Sequence, residues 1–167
     1  MNGGIRGEGR RNRSHRGFFA IGIEHTKNGL NVGTLWRSAS LMGAAFIFTV
    51  GRRYKRQSSD TMASWRHIPL FHVETLDELD ALVPYDCLLV GIEMDPRAIP
   101  LAQANHPERA VCLLGAEDHG LTKAAADRCH RLVVLPGEYS MNVAVAGSIV
   151  MYDRYARGSQ GMRRMTA

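Results

Sequence analysis

Hydrophobic residues in this chain gather in short continuous blocks, and the segments between the blocks carry a helical repeat. Phe18–Ile23, Ala45–Val50, Cys87–Ile92, Ala110–Leu114 and Leu132–Leu135 are apolar, β-branched runs of four to six residues. None shows the in-and-out alternation of a strand with one wet face, so each reads as a strand buried on both sides. Val32–Met42, Leu76–Val83, Lys123–Arg128 and Val143–Arg157 have helical spacing, and in the last Val145, Ile149, Tyr152 and Tyr155 form a stripe. Strands alternating with helices predict an α/β fold, a mostly parallel sheet with helices on both faces. Capping chemistry marks the helix starts: Asn31 before the first, Thr75 with Glu78 as a capping box for the second, Asn142 before the last.

The chain has 167 residues, enough for one core and too few for two ordinary domains. One domain is therefore expected over residues 17–158, between a basic arm at 1–16 and a basic tail at 159–167. No apolar run approaches the roughly 18 residues of a membrane span, and the arm lacks the apolar segment of a signal peptide. Cys87, Cys112 and Cys129 form no CxxC pair, and the seven histidines form no HExxH or HxH pair. No metal site is expected, and the protein reads as reduced and cytoplasmic.

Charge changes the picture at the ends and in one loop. Lys and Arg exceed Asp and Glu by 21 to 16, and the excess lies in Arg6, Arg10, Arg11, Arg13 and Arg16 and in Arg163 and Arg164. Clustered cations suit a phosphate backbone through counterion release, although such an arm read alone is also a solvated tail. Gly51–Arg66 interleaves Arg52, Arg53, Lys55, Arg56 and Arg66 with Tyr54 and Trp65. That mixture suits RNA, where cations meet phosphates and rings stack on bases; the alternative is a solvated connection.

Ligands of open α/β sheets bind beyond the carboxyl ends of the strands, so three strand-to-helix loops hold the candidate chemistry. In Asn28–Arg37, Gly33 admits a close backbone and Arg37, six residues after Asn31, either forks onto a phosphate or is an ordinary surface arginine. In Leu113–Leu121, Gly115 and Gly120 have the spacing of a phosphate loop. Its lysine is missing, however, and Glu117 and Asp118 would repel phosphate, so a cationic or hydroxyl-bearing ligand fits better. In Leu135–Gly147, Pro136 and Gly137 turn the chain, Ser140 and Asn142 offer polar groups beside a helix start, and Ala144, Ala146 and Gly147 permit close packing.

Taken in order, Asn31-Val-Gly-Thr-Leu-Trp-Arg37-Ser-Ala39, Leu114-Gly-Ala-Glu117-Asp-His-Gly120-Leu121 and Leu135-Pro136 with Ser140-Met-Asn142-Val-Ala-Val-Ala146 resemble the motifs of the SpoU–TrmH family, in the SPOUT superfamily of RNA methyltransferases. The resemblance spans Phe18 to Arg157. It implies a C-terminal deep trefoil knot, S-adenosylmethionine as cofactor, and a homodimer whose site draws on both subunits, with Trp36 and the last helix as candidate interface. Carried over residue by residue, Gly91, Gly115, Leu135, Ser140 and Met141 would bind the cofactor, and Arg37, Asn31, Glu117, Ser140 and Asn142 would surround the reacting groups. Arg10, Arg11, Arg13, Arg52, Arg53, Lys55 and Arg56 would hold the RNA.

The activity implied is transfer of a methyl group to a ribose 2′-hydroxyl, with transfer RNA ahead of ribosomal RNA as substrate. A guanidinium is a poor base, so Arg37 is expected to fix a phosphate and steady charge on the hydroxyl oxygen, although the family's arginine has also been read as the base. Asp118-His119 and the short Gly137-Glu138-Tyr139 turn depart from the family's pattern and bear on substrate choice. The alternative is an RNA-binding module that keeps the fold without turnover; a small-molecule methyltransferase would leave the basic arm and loop unexplained.

Overall fold

The computed structural model describes residues 17–55 and 63–164, with side chains through residue 158. Seven strands form one sheet: β1 (Phe18–Glu24), β2 (Ile47–Val50), β3 (Leu70–Val73), β4 (Leu88–Ile92), β5 (Ile99–Pro100), β6 (Arg109–Leu114) and β7 (Arg131–Val134). Their order is β3-β2-β1-β6-β4-β7-β5, and every pairing is parallel. Four helices flank it: α1 (Gly29–Met42), α2 (Leu76–Leu82), α3 (Lys123–Arg128) and α4 (Val143–Arg164).

The double-sided burial follows from side chains alternating across each strand. On β6, Ala110, Cys112 and Leu114 join Val32, Leu35, Trp36, Ala144 and Val150 of α1 and α4 in one core. Val111 and Leu113 point the other way, into a second core with Leu79 of α2 and Ala125 and Ala126 of α3. Along the seam between α1 and α4, a Cβ on Gly147 would lie 2.5 Å from Leu35 Cδ1. Ser148 Oγ donates to Ser38 Oγ at 2.9 Å nearby, so small residues set how close the two helices come.

Several expectations change. The cap of α1 is Asn28, whose Oδ1 accepts from Leu30 N–H at 2.9 Å. Asn31 lies inside the helix, 8% exposed, with its amide turned inward. Thr75 caps α2 as expected, but the Glu78 carboxylate takes the N–H of Glu74, one residue earlier than a capping box would. β3 and β5 lie outside the apolar runs, being short edge strands with Phe71 and Ile99 exposed and a proline in β5. Helix α4 continues through residue 164, past the expected boundary at 158. Trp36 is not a surface residue: it is 7% exposed, its Nε1–H donates to Ile68 O at 3.0 Å, and its ring meets Tyr54 edge-on.

Candidate active site

Because the strands are parallel, the carboxyl ends of β1, β4, β6 and β7 share one edge of the sheet. There the loop after β6 folds back on itself, with Ala116 and Gly120 exchanging backbone hydrogen bonds of 3.0 and 2.9 Å. A Cβ on Gly115 would sit 1.9 Å from the Gly120 carbonyl carbon, and Gly120 has φ +67°. Both glycines are thus required by the tight loop itself, which accounts for their spacing without any phosphate.

Two carboxylates from neighbouring strand ends pin this loop. Glu24, ending β1 and 2% exposed, accepts from Thr122 N–H at 2.8 Å and from its hydroxyl at 2.7 Å. The same hydroxyl accepts the N–H of Ala125 and so caps α3. Glu93, immediately after β4, accepts from Met94 N–H at 2.8 Å and Leu121 N–H at 2.5 Å. Sequence reasoning missed both acids; their one signal is an acid directly ending an apolar strand run, Ile23-Glu24 and Ile92-Glu93.

Three of the predicted reacting-group residues form one directed hydrogen-bond chain. Asn142 caps α4, its Oδ1 accepting from the N–H groups of Ala144 and Val145 at 3.0 and 3.2 Å. With its oxygen committed to the helix, its amide NH₂ donates to Asn31 Oδ1 at 3.1 Å. Asn31 then has only its own NH₂ to offer, and donates to Glu117 Oε1 at 2.5 Å. Glu117 also receives the Thr26 hydroxyl at 3.5 Å and, on Oε2, the Lys27 N–H at 3.4 Å. The helix N-terminus therefore fixes the sense of every amide in the chain. Beside it Lys27 pairs with Asp118, and that hydrogen bond is the main reason the Asp118 carboxyl lies below its usual range.

The loop after β6 and the turn between β7 and α4 flank a cleft. Of the predicted residues, Gly115, Glu117, Leu135, Ser140 and Met141 line it, and so do the unpredicted Glu93, Met94 and Tyr139. Gly91 does not. A Cβ there would meet Leu132, Cys129 and Leu121, so it faces the α3 layer. Arg37 is exposed on α1 outside the cleft lining, and among the described residues no hydrogen bond or ion pair engages it. Arg52, Arg53 and Lys55 are exposed after β2, with Arg53 3.6 Å from Glu74. Arg10, Arg11, Arg13 and Arg56 lie outside the described residues. Burial pushes the thiols of Cys112 and Cys129 up to about 11 and about 12, which makes them poor nucleophiles. Among the described residues no group of three or more acids, histidines or cysteines could hold a metal, and no helix is long and apolar enough to cross a membrane.

A parallel sheet with a cleft at its carboxyl edge is the arrangement in which open α/β proteins hold ligands. Residues 19–152 match the SpoU rRNA Methylase family, and the chain belongs to that family. It is similar to a Staphylococcus haemolyticus protein assigned to the TrmH family of tRNA/rRNA methyltransferases, 25% identical over 138 residues, covering 78% of this chain and 55% of that one. The chain thus spans little more than half of that relative. Among solved structures, the AdoMet-bound rRNA methyltransferase from Sinorhizobium meliloti has a TM-score of 0.76 at 22% identity, covering 86% of this chain and 58% of that one. A structure described in terms of the 2-OH methylation of C/U34 on tRNA has a TM-score of 0.75 at 20% identity, covering 89% and 99%. At such identities the likeness shows the fold.

Proposed function

We propose that this protein is an S-adenosylmethionine-dependent RNA methyltransferase acting on a ribose 2′-hydroxyl, with transfer RNA ahead of ribosomal RNA as substrate. The observation that carries the reading is the chain from Asn142 through Asn31 to Glu117, which ends in the wall of an acidic cleft. Glu93 and Glu117 in its walls match a sulfonium cation and oppose a phosphate, so the residues present fit this cofactor. The transfer-RNA preference is supported by the structural neighbour of nearly equal length, whose description names 2-OH methylation on tRNA.

When bound, S-adenosylmethionine supplies a methyl group on a positively charged sulfur, open to in-line attack by an oxygen. The chain's own residues would orient the hydroxyl and handle its proton. Arg37 presents an exposed fork, unengaged among the described residues, that suits an RNA phosphate and the charge developing on the 2′-oxygen. A guanidinium is a poor base, which leaves phosphate or water to take the proton. Arg52, Arg53 and Lys55 would extend the phosphate track.

The reading includes a homodimer. Val145, Ile149 and Tyr152 are 47%, 38% and 60% exposed at helical spacing on α4, an apolar stripe that a second copy would cover. It also includes a trefoil knot in the C-terminal segment and a cytoplasmic location, supported by family membership and by three free cysteines. The test is incorporation of labelled methyl into unmodified transfer and ribosomal RNA, followed by nucleoside analysis. A 2′-O-methyl nucleoside in the transfer-RNA fraction is expected. Cofactor binding and salt-dependent RNA binding without incorporation would instead make the chain a non-catalytic RNA-binding module.

A further inference from the structure

Three carboxylates surround the loop after β6, and they differ in what they have left to offer. Glu24 is buried and does not line the cleft. Glu117 lines it, but Asn31 and Thr26 fill its Oε1 and only Oε2, which also takes the Lys27 N–H, keeps an acceptor site. Glu93 lines the cleft with one backbone N–H on each oxygen, from Met94 on Oε1 and from Leu121 on Oε2. A carboxylate oxygen has two acceptor sites, so each oxygen of Glu93 retains one. Its position is also fixed. A Cβ on Gly120 would fall 2.2 Å from Glu93 Oε2, so the loop closes against this carboxylate and holds it in place.

Two free acceptor sites on one held carboxylate match two adjacent hydroxyl donors. We infer that Glu93 is the ribose-recognition residue of the cleft, accepting hydrogen bonds from the 2′- and 3′-hydroxyls of the cofactor's adenosine. The inference rests on the proposed function, since it takes the cleft to be the cofactor site. It gives β4 a ligand contact that Gly91, facing the α3 layer, does not provide. It also gives the cleft a selectivity: a fixed negative charge at the diol rejects adenosine cofactors phosphorylated at either hydroxyl.

The test is calorimetric binding of S-adenosylhomocysteine and its 2′-deoxy and 3′-deoxy analogues to the full chain, wild type and Glu93→Gln. Wild type should bind each deoxy analogue roughly tenfold or more weakly, the usual scale for losing a hydrogen bond to a charged group. In Glu93→Gln that preference should fall to within about threefold for at least one hydroxyl, because an amide keeps only one acceptor oxygen and puts a donor in place of the other. If Glu93 only shapes the loop, all three ligands weaken together and the preference survives, which overturns the inference. Equal binding of all three ligands by wild type overturns it without any variant. Should Glu93→Gln melt early, Glu93→Asp keeps the charge but withdraws it by one methylene, and the same fall in preference is expected. No binding of S-adenosylhomocysteine by wild type would instead remove the cofactor reading of the cleft, a result distinct from binding without discrimination.

Discussion

The side chain of Asn142 does two jobs that substitution separates, capping α4 through its oxygen and feeding Asn31 through its nitrogen. In Asn142→Asp the cap survives, since Asp caps as well as Asn, and its charge near the helix N-terminus adds about 0.3–1 kcal/mol. The donor is lost, however, and a carboxylate oxygen then faces Asn31 Oδ1, acceptor against acceptor. Asn31 is 8% exposed, so an unpaired oxygen there costs about 1–3 kcal/mol. Asn142→Ala loses the donor as well, and also the cap, which adds about 1 kcal/mol. Urea denaturation should therefore rank wild type above Asp above Ala. Methyl incorporation should fall alike in both variants, by about tenfold if the misplaced Glu117 raises the barrier by about 1.4 kcal/mol. An Asp variant with wild-type turnover would show that the chain to Glu117 has no part in the chemistry. Equal stability of Asp and Ala would refute the cap.

Arg37→Lys keeps the charge but loses the planar fork; turnover should drop at least about tenfold with the melting temperature unchanged, as expected for an exposed residue. Melting curves and incorporation assays check both halves. Gly115→Ala would place a Cβ 1.9 Å from backbone, so the loop must open; a stability loss above about 3 kcal/mol and loss of S-adenosylhomocysteine binding are expected by denaturation and calorimetry. His106 is pushed below its ordinary value near 6.5 by burial, only partly offset by Asp153 at 2.7 Å. Between the lowered and the ordinary value the unfolded chain holds a proton that the folded one does not, so stability falls as pH drops below about 6.5. The difference in urea midpoint between wild type and His106→Gln should therefore shrink as pH falls from 7 to 5; a constant difference would rule out this titration.

The central strands were legible because a strand buried on both faces writes an unbroken apolar run, and β1, β4 and β6 lie in the middle of the sheet. The edge strands were not: β3 leaves Phe71 exposed, and β5 is two residues long. The motif residues Asn31, Glu117 and Asn142 do meet, but the type of contact could not be read from the sequence. An asparagine ahead of a helical repeat looks like a cap, and only packing turned Asn31 inward to receive Asn142. Glu24 and Glu93 escaped notice because an acid ending an apolar run ordinarily marks a return to solvent. Trp36 was misjudged because its ring and N–H find partners in Tyr54 and Ile68, far along the chain or across an irregular segment.

The hydrogen bonds that set the site join residues 86 and 111 positions apart. The first forms once α1 meets the loop after β6, but the second waits until the first turn of α4 is docked on α1, and closing such long loops is entropically slow. During synthesis, then, the nascent chain cannot acquire a competent site until residue 142 has left the ribosome and the last helix has settled on the sheet. Ligand binding in this protein is therefore a reporter of completed folding, silent in every partial product that ends before α4.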